Sequence, residues 1–158
     1  MSIVDFLKDL DKHDQERKSK QEDAENMKIQ SELDKKEFLK NFKLHYQNKV
    51  IKDLSLIKRH LDERFLFNYD SNVKQQQAKV PDIWLSEVTV DYQNSEGTNH
   101  INISIPIICN AIDKKITITA SLNIRNAQIQ PFFSGTFEQF KSLNIEEFFE
   151  KILRKFIL

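Results

Sequence analysis

Glycine is nearly missing from this chain, which has two, Gly97 and Gly135, among 158 residues. Neither begins a glycine-rich loop. Only glycine lets backbone amides close around a phosphate, so Walker-type and dinucleotide-binding loops are excluded. A single cysteine, Cys109, rules out an internal disulfide and a zinc ribbon. It sits in a strand pattern among isoleucines, where a thiol is ordinarily inert core. The four histidines, His13, His45, His60 and His100, show no ligand spacing. No metal site and no cofactor are therefore expected. No apolar run approaches the roughly 20 residues that a spanning helix needs, and the N-terminus lacks the features of a signal peptide. The expectation is a protein of a reducing, cytoplasmic compartment with no membrane contact.

Net charge is zero, yet its distribution is lopsided. Residues 1–34 carry ten acids against six bases, a net of −4, and residues 35–64 carry nine bases against four acids, a net of +5. An acidic stretch followed by a basic one favours contacts between copies of the chain. The bases of 35–64 scatter around a helix axis instead of forming one stripe, so a nucleic-acid footprint is the weaker reading.

Apolar periodicity divides the chain. Ile3, Val4, Phe6, Leu7 and Leu10 fall on one helical face, with Ser2 as N-cap and Asp5 at the third helical position. Residues 11–28 hold only Ala24 and Met27 as apolar side chains, and read as a solvated helix or a flexible tether. From Leu33 to about Phe65 the helical stripe returns, through Phe38, Phe42, Tyr46, Val50, Leu54, Ile57 and Leu61. Asn68-Tyr69-Asp70-Ser71-Asn72 reads as turn chemistry, and polar residues continue to Pro81.

Strict alternation then predicts four strands over 84–92, 101–109, 115–125 and 127–133. Their inward faces are Trp84, Val88, Val90 and Tyr92; Ile101 to Cys109 at odd positions; Ile116 to Ile124 at even positions; and Ala127, Ile129 and Phe133. Apolar on one side and polar on the other is antiparallel behaviour. Pro106 lies inside the second strand, where a missing N–H predicts a bulge or an early strand end. After Gly135, Asn144 with Glu147 has the letters of a capping box ahead of an apolar stripe from Ile145 to Ile157.

The fold class read from this is α+β: a four-stranded antiparallel meander covered on one face by a long N-terminal helix and a C-terminal helix. Residues 1–30 form a charged arm and 31–158 a single domain. The segment Gly135-Thr136-Phe137 with Leu143-Asn144 resembles the C-terminal end of SecB-type export chaperones. It spans few residues without the surrounding strand order, and no residue role is carried over.

The function expected is non-enzymatic: an adaptor, inhibitor or assembly factor of chaperone-like type. It would bind a protein partner through Ile3, Val4, Phe6, Leu7 and Leu10, in the manner of a helix laid into a groove. Leu33, Phe38, Phe42 and Tyr46 are the expected oligomerisation residues. The alternatives are a nucleic-acid binder or a metal-dependent nuclease. For the nuclease, Pro81-Asp82 and Asp113-Lys114-Lys115 supply two carboxylates and a lysine. Strand spacing would hold Asp82 and Asp113 roughly 10 Å apart, with one strand between them, which argues against a shared metal.

Overall fold

A computed structural model describes residues 2–158 and shows an α+β chain that divides into two compact units, Met1–Lys36 and Glu37–Leu158. Helix α1 runs without a break from Ile3 to His45, so residues 11–28 are helical. A π-helical segment, Tyr46–Val50, joins it to α2, Ile51–His60. Six strands follow: β1 Phe65–Tyr69, β2 Lys74–Gln77, β3 Val80–Gln93, β4 His100–Asn110, β5 Lys115–Leu122 and β6 Gln130–Gly135. Two helices close the fold, α3 Phe137–Lys141 and α4 Ile145–Ile157.

The π segment has a cause in the spacing of the buried residues. Phe42, Tyr46, Val50 and Leu54 recur every fourth residue, and all four are wholly buried. In an α-helix each four-residue step overshoots a full turn by about 40°. Three such steps would swing Leu54 about 120° away from the sheet. A turn of π-helix takes up the extra residue and returns the stripe to one face.

All six strands pair antiparallel, in the order β1-β3-β4-β5-β6, with β2 also on β3. β3 to β6 form the expected meander. The expected count of four strands is corrected to six. β1 and β2 share one edge of β3: residues 65–69 face 88–92, and Lys74 and Gln75 face Leu85 and Trp84. Phe65, placed by periodicity at the end of the long helix, instead begins β1, because the helix stops at His60 and Leu61 is already extended.

Between β1 and β2 the edge breaks at residues 70–73, and side chains hold the break. Asp70 exchanges backbone bonds with Glu87, donating to its carbonyl and accepting from its amide on Oδ2 at 3.1 and 2.9 Å. The Tyr46 hydroxyl donates to the Asp70 carbonyl and accepts from Ser86 Oγ. Gln47 Nε2 donates to the Ser71 carbonyl at 2.6 Å and to Asn72 Oδ1 at 2.8 Å. The π segment thus delivers two adjacent polar side chains to the gap in the edge. Burial pushes the Tyr46 phenol up to about 12, against the lowering effect of the Ser86 bond.

The alternation in β3, β4 and β5 holds. Val88, Val90, Ile103, Ile105, Ile107, Cys109, Ile116, Ile118 and Ala120 share one core with Phe42, Tyr46, Val50, Leu54 and Ile57 of the first helical stretch and with Phe140, Ile145, Phe149 and Ile152 of α3 and α4. Three expectations fail. β4 does not bulge or stop at Pro106: its register with β3 runs unbroken from His100 to Asn110, and its register with β5 is the same on both sides of the proline. The ring sits where the β4–β5 ladder lapses between Ser104 and Ile107, so the missing donor is absorbed without a shift. β5 ends at Leu122, and Ile124 is exposed.

The third failure is β6. It starts at Gln130, leaving Ala127 and Ile129 outside the strand and Ile129 exposed. A register shift opposite Ile118 and Thr119 makes a bulge at Phe132. A bulge sets two residues against one. Phe132 and Phe133 therefore both pack on the core, Phe132 toward Phe156 and Phe133 toward Phe140 and Phe148, with ring centroids 6.1–6.4 Å apart. Thr136 and Gln139 form a full capping box for α3, and Asn144 Oδ1 accepts from Glu147 N at 3.2 Å to cap α4.

Candidate functional site

Ser2 and Asp5 fasten the start of α1. Ser2 Oγ accepts from the Asp5 amide at 3.2 Å and donates to Asp5 Oδ2 at 2.9 Å. The capped helix then presents its apolar residues to solvent: Ile3 is 77% exposed, Val4 60%, Phe6 63%, Leu7 50% and Leu10 43%. Ile3, Phe6, Leu7 and Leu10 fall within an arc of about 100° at 3.6 residues per turn. Asp9 and Asp11 flank that arc on opposite sides, while Lys8 and Lys12 point away from it. Four of the five residues named from sequence thus form one acid-edged apolar ridge, and Val4 lies just beyond Asp11, outside it. Further along, Met27, Ile29 and Leu33 are also exposed.

The four residues expected to mediate oligomerisation have different settings. Leu33 is exposed. Phe38 packs partly buried against the core of the Glu37–Leu158 unit, and Phe42 and Tyr46 are wholly inside it. Phe42 stacks toward Phe140 at 5.6 Å, and Tyr46 is held by Ser86 and Asp70. A subunit contact through Phe42 or Tyr46 would first require opening that core.

A second feature escaped the sequence reading. In the Glu37–Leu158 unit a groove of about 400 Å³ opens between the end of α2, the start of β1, the end of β3 and the outer turns of α4. Its floor is Ile57, Leu61, Phe65, Tyr92, Leu153 and Ile157, and its rim carries His60, Arg64, Glu146, Glu150 and Arg154. Phe65 and Tyr92 are opposite each other in the β1–β3 register, rings 5.0 Å apart. Arg64 grips both Asp62 carboxylate oxygens, at 2.6–3.1 Å, and that bonding holds the Asp62 carboxyl below its ordinary range and raises the guanidinium. Arg154 Nε donates to Glu150 Oε1 at 3.0 Å, and His60 Nδ1 stands 4.0 Å from Glu146. The groove hides in the sequence because its lining comes from four elements, and each apolar residue there also reads as core. The aromatic Phe65, four residues past Leu61 and already outside the helix, was the available signal.

The residues proposed for chemistry sit as follows. Cys109 is wholly buried and its thiol is pushed up to about 12 by burial, so at neutral pH it is protonated and out of reach. The Asp82 carbonyl accepts from the Ala111 amide at 2.9 Å, which places the start of β3 directly beside the turn that carries Asp113. Asp113 Oδ2 accepts from Asn110 Nδ2 at 3.3 Å, and Lys115 pairs with Asn110 across the β4–β5 ladder. Among the described residues, no three His, Cys, Asp or Glu side chains gather to hold a metal ion. Lys43, one of the bases considered for nucleic acid, lies over the Trp84 ring at 3.6 Å. No helix among the described residues is long and apolar enough to cross a membrane.

No family model, no curated protein and no solved structure matches this chain.

Proposed function

We propose that this is a non-enzymatic interaction protein, of the adaptor, inhibitor or assembly-factor kind, that binds another protein through the ridge of Ile3, Phe6, Leu7 and Leu10 with Val4 beside it. One observation carries the reading: five large apolar side chains, 43–77% exposed, share one end of a capped helix. With 43–77% of each still open, burying the rest of these five side chains is worth roughly 4–9 kcal/mol gross. A helix already formed in the free chain does not lose backbone freedom on binding, so more of that gain remains as affinity. Anchors at i, i+3, i+4 and i+7 are the spacing of helix-in-groove recognition.

The test is quantitative capture from the native cell extract with the full-length chain, wild type against the Phe6→Ser, Leu7→Ser double variant. Proteins held by the wild type and lost by the variant are expected, with helical content by circular dichroism unchanged. An identical set of captured proteins for both chains rejects the reading.

A further inference from the structure

We infer that the groove between α2, β1, β3 and α4 binds a small, uncharged, mainly apolar molecule. The groove lies wholly in the Glu37–Leu158 unit and owes nothing to the ridge. Ile57, Leu61, Phe65, Tyr92, Leu153 and Ile157 make an apolar floor, and Tyr92 brings the lining its only hydroxyl. The volume of about 400 Å³ falls within the range of small-molecule sites. A cavity of about 150 Å³ holds one benzene, so this one has room for two rings or an alkyl chain of about ten carbons.

Size separates this occupant from a protein. Twelve residues line the groove. A stable protein contact takes about 20–30 residues from each side, roughly twice that number. Charge separates it from an ionic ligand. The lining carries two arginines and two glutamates, so its formal charge is zero with His60 neutral. Arg64 grips both oxygens of Asp62 at 2.6–3.1 Å, Arg154 holds Glu150 at 3.0 Å, and His60 stands 4.0 Å from Glu146. An ionic ligand would have to displace a partner tethered to the same chain, held at high effective concentration. An uncharged molecule displaces none of them. It gains instead from the apolar floor, where the Phe65 and Tyr92 rings lie 5.0 Å apart.

Fluorescence titration of the full-length chain with uncharged N-phenyl-1-naphthylamine tests this, followed by displacement with 1-decanol, decanoate and decylammonium. One saturable site is expected in the wild type, emptied by decanol at about tenfold lower concentration than by either ion. Phe6→Ser with Leu7→Ser should leave that site unchanged. Leu153→Gln with Ile157→Gln should weaken probe binding about tenfold or more. Asp62→Asn keeps Oδ1 for the Arg64 amide but releases the guanidinium at an exposed turn, and serves if the glutamines unfold the chain. It should bring decanoate to about the strength of decanol. Absence of a saturable site, a site lost with Phe6 and Leu7, or ions that displace the probe as well as decanol does, each overturns the inference. So does decanoate displacement unchanged in Asp62→Asn. Probe binding that falls as protein concentration rises also overturns it, and marks a second copy in the groove.

Discussion

Removing one oxygen from the buried junction beneath the broken sheet edge gives the sharpest test of how this fold is held. In Tyr46→Phe, Ser86 Oγ loses its acceptor at a site with no solvent exposure, and the Asp70 carbonyl loses its donor. A buried polar group left without a partner costs about 1–3 kcal/mol. Ser86→Ala is milder, because the Tyr46 hydroxyl still donates to Asp70; the loss is that of one net hydrogen bond, about 1 kcal/mol. In the double variant no hydroxyl is stranded, so its cost should fall short of the summed single costs by about 1 kcal/mol. Urea unfolding at neutral pH measures all three. Additive costs, or a neutral Tyr46→Phe, would refute the junction's role. A second reading comes from alkali. The folded phenol ionises near 12, above the ordinary value of 10.0, so the unfolded chain loses this proton first. The stability from Tyr46 is complete below pH 10, declines as pH climbs toward 12, and is absent from Tyr46→Phe.

Two further outcomes follow from other sites. A methyl group at Gly135 would overlap the end of the Gln139 side chain, which accepts from the Thr136 amide in the α3 capping box, so Gly135→Ala should cost about 1 kcal/mol in thermal or urea unfolding. His45, whose ring meets Phe137 and Phe140 edge-on, has its imidazole pKa lowered from 6.5, chiefly by burial and then by Lys141 and Lys49, with Asp53 opposing. The unfolded chain therefore takes up this proton first, stability should fall as pH drops through 6.5, and His45→Gln should flatten that slope in unfolding measured across the range.

The sequence made parts of this fold legible where one physical rule acted alone. In β4 and β5 nothing competes with the alternation of isoleucine and polar residues, and the faces come out right. The helical stripe of Phe42 to Leu54 was equally plain. Its unvarying spacing of four is at odds with a straight α-helix, and that sign of the π segment was missed in the sequence. Other parts were written in weaker signs. β2 is Lys-Gln-Gln-Gln, an edge strand with no apolar face, and only pairing to β3 reveals it. Phe65 fits a helical stripe and a strand equally well. Phe132 and Phe133 break alternation because a bulge places both on the core, which no two-residue period anticipates. Ser86 falls at an inward position of β3, and a lone serine there gave no hint of the hydroxyl it would meet. The ridge was legible because its residues are contiguous, and the groove was not, because its lining is gathered from distant positions.

The two free margins of the sheet share one further property. One is interrupted at residues 70–73, where Asp70, Tyr46 and Gln47 occupy groups that a visiting strand would need, and it continues only as a short glutamine-rich stretch. The other carries Pro131, which cannot donate, and a bulge that bends its backbone. Interruption, proline and bulging are the devices by which natural sheets resist lateral growth. Beyond the five residues of β1, neither border gives a foreign backbone a long straight row of donors and acceptors to zip onto. Selective contacts then fall to side-chain surfaces.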